Sequence, residues 1–394
     1  MLNYSISFSP GHAADFFAQF PSAPAVFLLR GTEPSAEPYA GKTASLRRRL
    51  RRLLAPPESQ SKRLNLRERV AAIEYTLTGS DFESVLLLYR VLRLEFPKTY
   101  QKRLRLRPAP LVRLNLENEY PRAYVTTRLG RLGGKSLYYG PFPTRAVAEK
   151  FLNDSLDQFK MRRCTFDLDP DPKFPGCIYS EMKMCLAPCF KGCTDEAYAA
   201  EVTRVQAYFD SGGHSLVGEM EAERERLSTA LDFEAAAQQH AKLAKAKGIL
   251  SSIDEICRRL DKLDAVIIQP SATAHPKSVA LFRFRRGELA GPQPFIVETE
   301  DASQSLEQRI REMLQQFFLA GARSALQFME ELAILKRWYY RSHKTGEIVL
   351  ANDDGEMSAR RIANAMARVS KTEENLSTAE DVSERSGPER DLPS

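Results

Sequence analysis

The clustering of cysteines is the strongest chemical signal in the sequence. Four of the six cysteines lie within 26 residues, in the spacing C-x12-C-x7-C-x3-C. The start of the chain lacks a signal-peptide layout, so we expect a reducing environment, in which clustered thiols are metal ligands or reactive groups rather than disulfides. Thiolates that loops bring together can hold a zinc ion or an iron–sulfur cluster. The candidate ligands are Cys164, Cys177, Cys185 and Cys189.

The alternative for these cysteines is ordinary packing, because free cysteine is often a small buried apolar residue. Their concentration in one short segment favours metal binding. The absence of a C-x2-C pair argues against a ribbon-type zinc site. Cys193 is a spare thiol nearby, and Cys257 belongs to a separate helical pattern.

Charge is distributed unevenly along the chain. The net charge is +6, yet residues 42–113 contain 18 Lys and Arg against 6 Asp and Glu. A stretch of this kind attracts polyanions, and nucleic acid is the usual one. The alternative is a solvated surface, for which an even mixture of signs is expected. The arginines that we expect to contact DNA are Arg47, Arg48, Arg51 and Arg52.

The amino-terminal quarter of the chain reads as a small α/β unit that positions this basic stretch. Apolar runs predict its strands, and apolar residues at helical spacing predict its helices. Ser45 is a candidate N-cap for the arginine-rich helix, and Pro97 ends the next helix. The predicted elements are strands 25–29, 39–42 and 69–77, and helices 46–54 and 81–95.

The rest of the chain alternates between short strands and helices. Asp232 is a plausible break and cap between two antiparallel helices. The segment from Lys371 onwards is polar and without aromatics, so we expect disorder there. The predicted elements are strands 122–128, 137–139, 265–268, 279–284 and 294–297, and helices around 147–159 and over 195–209, 216–249 and 306–319.

Length and hydropathy limit the class of protein. A chain of 394 residues is long enough for two or three domains, each with its own core. No apolar run approaches the roughly 20 residues that span a bilayer. We therefore expect a cytoplasmic protein with no membrane partner.

Several short motifs, in their order along the chain, resemble those of one family. Cys185-Leu186-Ala187-Pro188-Cys189 resembles a cysteine region of the UvrC excinuclease family, which supplies the incision component of bacterial nucleotide excision repair. Two blocks, Ala25-Val26-Phe27 and Tyr39-Ala40-Gly41-Lys42, are similar to a GIY-YIG nuclease signature. Two further blocks of the family resemble Tyr120-Pro121 and Tyr139-Gly140-Pro141-Phe142-Pro143. A UVR motif is similar to Leu231-Asp232-Phe233-Glu234-Ala235-Ala236.

The resemblance covers the amino-terminal half of that family, without its RNase H-like and helix-hairpin-helix parts. It implies a 4Fe–4S cluster on the four cysteines, with zinc as the alternative, and docking of the UVR hairpin on a UvrB-like protein through Leu231, Phe233 and Ala236. The implied α/β organisation is a GIY-YIG nuclease-like domain (20–105), linker strands with a cysteine-rich region (106–200), a UVR-like helical hairpin (201–255), a small α/β domain (256–368) and a disordered tail (369–394).

The resemblance also implies a nuclease site, and the sequence departs from it. Tyr39, Lys42 and Arg49 match family positions. The first tyrosine of the family is Phe27, which has no hydroxyl, and the metal-binding glutamate falls on Leu88. Leucine cannot ligate Mg²⁺, so a magnesium site is doubtful. The asparagine position two residues later is Arg90, and we expect its charge to repel a cation from the site.

Three hypotheses follow from the sequence. The first is a UvrC-like repair protein that binds DNA and a UvrB-like partner, with weak or absent endonuclease activity. The second is an active GIY-YIG endonuclease that uses another carboxylate, for which Glu83 and Glu95 are the candidates. The third is a non-enzymatic iron–sulfur adaptor, against which the basic stretch argues.

Overall fold

The computed structural model describes residues 2–371 except 34, 57–63, 131–133, 274, 276, 299–303 and 318–323. In this part of the chain three four-stranded antiparallel sheets alternate with helices, which confirms the predicted mixed α/β class. None of the helices in the described ranges has both the length and the apolar character required to cross a bilayer. The expected disorder of 372–394 lies outside the described residues.

The first sheet contains β1 (Tyr4–Ser7), β2 (Ala25–Gly31), β3 (Tyr39–Thr43) and β4 (Val70–Leu77), in the order β1-β4-β2-β3. Strand β3 therefore forms an edge of the sheet. Helix α1 (Leu46–Leu54) follows β3, and helix α2 (Asp81–Glu95) follows β4. The predicted strands and helices of this region are confirmed, whereas β1 is an element that the sequence analysis missed.

Helices α1 and α2 cover opposite faces of the first sheet. Successive side chains of a strand point to opposite sides, and β2 separates them accordingly. Phe27 belongs to the same apolar cluster as Leu50 of α1, whereas Val26 belongs to the cluster of Val91 of α2. Each residue of the neighbouring strand β3 is thereby directed towards one helix or the other.

The second sheet contains β5 (Leu111–Asn115), β6 (Arg122–Thr126), β7 (Leu137–Gly140) and β8 (Arg258–Arg259), in the order β6-β5-β7-β8. The helices of this part of the chain are α3 (Tyr100–Leu104), α4 (Arg145–Leu156), α5 (Ile178–Glu181) and α6 (Asp195–Asp210). Phe151 of α4 and Val205 of α6 share a core with Val112 of β5. The segment that carries the clustered cysteines therefore begins and ends on helices anchored in one core.

A helical hairpin follows, formed by α7 (His214–Thr229) and α8 (Phe233–Leu250). The predicted cap is confirmed, because the Asp232 carboxylate accepts a hydrogen bond from the Ala235 N–H at 3.1 Å. Leu231 has a φ of 61° in the turn between the helices. This left-handed backbone is uncommon for a leucine.

The third sheet contains β9 (Asp264–Pro270), β10 (Ser278–Arg285), β11 (Glu288–Ile296) and β12 (Glu347–Leu350), in the order β11-β10-β9-β12. Helix α10 (Ala325–Tyr339) packs on one face of it. Helix α9 (Leu306–Gln316) and a last helix, α11, over residues 359–371 pack on the other. Residues 369–371 are helical rather than disordered because Val369 is buried in that core.

Helix α2 is buried on two sides. Val91 faces the first sheet, whereas Phe82 and Tyr89 join a larger cluster with the third sheet and α10. The rings of Phe82 and Phe282 meet edge to face, with centroids 5.0 Å apart, and the Tyr89 hydroxyl donates to Glu330 at 2.9 Å. The amino-terminal α/β unit and the carboxy-terminal α/β unit thus share a helix instead of having separate cores.

Candidate functional site

Tyr39 and Arg49 lie together on the α1 face of the first sheet. Arg49 Nη2 donates a hydrogen bond to the Tyr39 hydroxyl at 2.8 Å. The ring of Phe27 is 6.1 Å from that of Tyr39 between centroids and is fully buried. A Cβ on Gly41 would approach Phe27 Cζ to 3.2 Å, so glycine at this position leaves room for the phenylalanine ring. The tyrosine–arginine pair is therefore held against an apolar floor.

Lys42 lies on the opposite face, because side chains alternate along β3. Its ammonium group forms an ion pair with Asp81 at the start of α2. The other Asp81 oxygen accepts from Arg341 Nη1 at 2.6 Å. Burial opposes ionisation of this carboxyl, but the contacts with Lys42 and Arg341 outweigh it and lower the Asp81 pKa. The three residues expected to form the nuclease site are thus divided between two faces of the sheet.

Asp81 is a candidate site residue that the sequence pattern did not indicate. It is the carboxylate in contact with Lys42, whereas the sequence indicates only Glu83 and Glu95 as replacements for the missing glutamate. One local signal could have identified it. Asp81 directly follows Ser80, whose hydroxyl caps α2 by accepting from the Glu83 N–H at 3.1 Å, and this position faces the strand edge once α2 packs on the sheet.

The two residues that depart from the family pattern on α2 have structural roles. Leu88 is half-buried against the apolar cluster on the α2 face of the sheet. Arg90 donates to the carbonyls of Gly291 and Leu289 at 2.5 and 2.7 Å. The expectation that Arg90 repels a cation from the nuclease site is wrong, because its guanidinium is directed to the β10–β11 hairpin.

Glu83 and Glu95 both have other partners. The buried Glu83 carboxylate accepts from the Gly79 N–H at 2.9 Å, which fixes the turn before α2. Glu95 accepts from Arg30 Nη2 at 2.8 Å, and the same guanidinium pairs with Glu74. The geometry does not direct either carboxylate towards Lys42.

Replacing Glu83 by glutamine should stabilise the protein at about pH 8 and have little effect near pH 4.5. Burial raises the pKa of Glu83 to about 7, above its ordinary value of 4.5, although the Gly79 N–H opposes the rise. Between pH 4.5 and about pH 7 the Glu83 carboxyl is ionised in the unfolded chain but still protonated in the folded chain. The free energy of unfolding therefore falls as pH rises through this range, and the loss is complete above about pH 7. Glutamine accepts the same hydrogen bond without ionising. We expect the free energy of unfolding to increase by about 2 kcal/mol at alkaline pH.

Urea unfolding of both proteins at the two pH values measures this effect. Glu95→Gln is the matched control, because it removes an ion pair with Arg30 and should give no gain at high pH. Equal stability of wild type and Glu83→Gln at both pH values would contradict the prediction.

The arginines of α1 form an exposed basic face. Leu46, Leu50 and Leu53 are buried under the helix, and the arginines between them, except the half-buried Arg49, are exposed. Within the described ranges these arginines form no ion pair with an Asp or Glu, although Arg47 Nε donates to the Phe20 carbonyl at 2.6 Å. The exposed members are Arg47, Arg48, Arg51 and Arg52.

The four clustered cysteines lie close together in the loops between α4 and α6. Burial raises the pKa of the Cys185 thiol to about 11, and the neighbouring thiols of Cys164, Cys189 and Cys177 add to the rise. The Ala187 N–H donates to Cys185 Sγ at 3.3 Å. Among the described residues, however, no three His, Cys, Asp or Glu side chains are arranged to hold a metal ion. The thiols are neighbours without ligating geometry.

One buried cation adjoins these thiols. The Arg162 side chain is 1% exposed, and its Nη1 donates to Cys164 Sγ at 3.3 Å. Its Nη2 is buried with no hydrogen-bond partner among the described residues. The cysteine loops therefore border a buried guanidinium with one unsatisfied nitrogen.

The turn of the α7–α8 hairpin exposes apolar side chains. Leu231 is 72% exposed and Phe233 is 65% exposed. Ala236 is half-buried one turn into α8. Leu243, further from the turn, is buried. The apolar surface of the hairpin is therefore concentrated at its tip.

Comparison with known proteins shows similarity to one family. A family model described as "UvrC/Cho excinuclease, middle domain" matches residues 109–208. The protein named UvrABC system protein C from Alcanivorax borkumensis is 26% identical over 406 residues, which cover 98% of this chain and 64% of that protein. The chain is similar to UvrC proteins over most of its length. The predicted resemblance is thereby confirmed.

Other relatives within the UvrC family share the name UvrABC system protein C. The protein from Methanothermobacter thermautotrophicus is 24% identical, with 88% of this chain and 57% of the relative covered. The protein from Dehalococcoides mccartyi is 23% identical, with 71% of this chain and 46% of the relative covered. The chain spans about half the length of the curated relatives it matches. No solved structure matches it.

The segment matched by the UvrC family model coincides with particular parts of the fold. Residues 109–208 contain β5, β6, β7 and α4, most of α6, and all four clustered cysteines. The first sheet and the helical hairpin lie outside that segment.

Proposed function

We propose that this protein has a UvrC-type role in nucleotide excision repair, in which it binds DNA and a UvrB-like partner and has weak or absent endonuclease activity. The relatives are components of a system named UvrABC. The main support for reduced activity is the environment of the Asp81 carboxylate, which forms ion pairs with both Lys42 and Arg341. A carboxylate neutralised by two cations is a poor ligand for Mg²⁺, since a metal must displace both.

DNA binding is supported by the basic face of α1. Arginine contacts to phosphate position a duplex without any catalytic requirement. The Tyr39–Arg49 pair lies at the base of the same helix. A fold of this kind can bind the DNA backbone even where hydrolysis has been lost.

The protein should leave DNA uncut under conditions in which it binds. Hydrolysis of a phosphodiester needs an activated water and usually a divalent metal, and Leu88 supplies no ligand. Damaged and nicked duplexes are incubated with the protein and Mg²⁺ or Mn²⁺, and cleavage is followed on denaturing gels. A mobility shift of the same samples controls for binding. Robust cutting that is lost in Arg49→Ala would contradict the proposal that the endonuclease activity is weak or absent.

The second candidate function is an active endonuclease that uses Asp81. The observation in its favour is that the Asp81 carboxylate contacts Lys42 on β3, the edge strand that also carries Tyr39. In that case cutting is lost in both Arg49→Ala and Asp81→Asn and retained in Glu95→Gln. Glu95→Gln is the matched control because it removes a carboxylate from the other end of α2.

Partner binding is proposed at the tip of the α7–α8 hairpin. Apolar residues exposed at a helical turn are suited to the groove of another protein. The left-handed backbone of Leu231 costs on the order of 1 kcal/mol, and it presents the leucine to solvent. Phe233 and Ala236 extend the same surface, which fits a UvrB-like protein.

Replacing Leu231 and Phe233 together by serine should lower the affinity for a purified UvrB-like partner at least about tenfold, because both lose apolar contact at the centre of the surface. Calorimetric titration measures the change. Leu326→Ser is the matched control, since this leucine is 53% exposed on α10, away from the hairpin. Unchanged affinity of the double variant would exclude the hairpin tip as the docking site.

The cysteine loops are proposed to hold a 4Fe–4S cluster, with zinc as the alternative. The supporting observations are the mutual proximity of the four thiols and the buried unpaired cation of Arg162. Bound metal would tie together loops that contain little apolar material of their own.

A further inference from the structure

A second basic surface lies at the carboxy-terminal end of α10. Residues 336–344 contain four Lys or Arg and one His, with no Asp or Glu. Arg337, Arg341 and Lys344 are all exposed. The first two line one small groove together with Asp81 at the start of α2. We call these three cations the α10 basic surface.

Two of these cations are held in place and still have unused donors. Lys344 Nζ lies 4.4 Å from the centroid of the Tyr339 ring and 5.7 Å from that of Trp338, and such ring faces attract an ammonium group. Arg341 donates to Asp81 through Nη1 at 2.6 Å, while its side chain stays 55% exposed. The remaining N–H groups of this guanidinium can therefore donate to another oxyanion.

Stabilisation of the helix end explains only part of this charge. Cations in the last turn interact favourably with the free carbonyls there, which accounts for Lys336 and Arg337. Arg341 and Lys344 follow the helix and contact a carboxylate and aromatic rings instead. Burial and the nearby charge of Arg107 lower the pKa of Lys336. Positive groups at this end of α10 thus already repel one another, and a polyanion would relieve that repulsion.

Acidic side chains lie near this surface without neutralising it. Asp254 and Glu255 add to the effect of burial in raising the pKa of Tyr339 to about 12. In the described part of the chain, neither carboxylate forms an ion pair with a cation of the α10 basic surface. Glu347, at the start of β12, pairs with Arg368. The positive charge of the surface is therefore only partly compensated.

The α10 basic surface is separate from the arginines of α1. Arg341 shares the Asp81 carboxylate with Lys42, which lies on the face of the first sheet that α2 covers. Helix α1 covers the opposite face. The two sets of cations thus lie on different sides of the sheet and can contact different stretches of a polyanion.

We infer that the α10 basic surface binds the phosphate backbone of duplex DNA and is a second DNA contact, supplied by the carboxy-terminal α/β unit. This inference rests on the proposed DNA binding of the protein. Trp338 is buried, so it is not available to stack on bases, and the exposed groups are cations that suit phosphate oxygens. Contacts of this kind position a duplex without reading its sequence.

The first test compares wild type with a double variant, Arg337→Gln with Lys344→Gln, on a fluorescently labelled duplex. The matched control is Lys242→Gln with Lys245→Gln, which removes the same charge from exposed positions of α8. Anisotropy is measured over a range of KCl concentrations. We expect affinity to fall about tenfold near physiological salt, and the slope of log affinity against log salt concentration to fall by about two. The control should stay close to wild type.

A second measurement uses the unmodified protein and so does not depend on the folding of any variant. Surface lysines are acetylated with an N-hydroxysuccinimide ester, with and without saturating duplex, and modification is quantified by mass spectrometry. Lys344 should be protected by DNA, because its ammonium group would contact phosphate. Lys242 and Lys245 serve as internal controls and should be modified equally in both samples.

Equal losses of affinity in the two double variants would show an effect of net charge and would overturn the inference. Equal modification of Lys344 in the free protein and in the DNA complex would overturn it too. In both cases the wild type still binds DNA, so the proposed DNA binding stands. A wild type that does not bind duplex DNA overturns the proposed DNA binding and the inference together, and this outcome is visible before any variant is made.

Discussion

Replacing Arg48 and Arg51 together by alanine should weaken binding to duplex DNA by about tenfold near physiological salt. Both side chains are exposed on α1 and have no acidic partner in the described ranges. Each phosphate contact that is lost removes roughly one unit from the slope of log affinity against log salt concentration. The slope should therefore fall by about two.

Fluorescence anisotropy with a labelled duplex over a range of KCl concentrations measures both quantities. The matched control is Arg360→Ala with Arg361→Ala, which removes the same charge from an exposed position of α11. Equal losses in the two double variants would show that net charge, rather than the α1 face, governs affinity. That result would leave the basic stretch without a specific role.

Replacing Cys185 by serine should remove the metal from the protein and destabilise the loops between α4 and α6. Cys185 is central among the four thiols, since its pKa is raised by each of the other three in addition to burial. Metal binding in such loops supplies much of their folding free energy. We expect metal content to fall to near zero and solubility to decrease.

Elemental analysis and limited proteolysis within residues 165–184 measure the two effects. Cys193→Ser is the matched control, because this thiol is nearby but outside the set of four. Equal metal content and equal protection in the two variants would argue that the cysteines are packing residues. A colourless anaerobic preparation that contains zinc and no iron would reject the cluster in favour of zinc.

Local sequence patterns predicted most elements around the site. Helix α1 was predicted with its observed bounds. Ser45 occupies the N-cap position, but its side chain makes no capping hydrogen bond with the described residues. The cap at Asp232 and the exposed hairpin tip also follow from a few adjacent residues. The clustering of four cysteines in one segment is likewise visible without coordinates.

Relations between distant segments could not be predicted in this way. The ion pair of Asp81 with Arg341 joins residues 260 positions apart. The contact of Arg90 with Gly291 joins residues 201 positions apart. Both depend on the burial of α2 between the first and third sheets, which no periodicity along the chain indicates.

The sequence alone indicated the resemblance to UvrC proteins, the mixed α/β class, and the leucine at position 88 in place of a glutamate. Tertiary structure decided which side chains meet. Because side chains alternate between the two faces of β3, Lys42 lies on the opposite face from Tyr39 and Arg49. Packing of α2 on that face brings Asp81 into contact with Lys42. The physical reason is that local propensity fixes helices and strands through neighbouring residues, whereas ion pairing and burial of a cation such as Arg162 depend on how those elements pack.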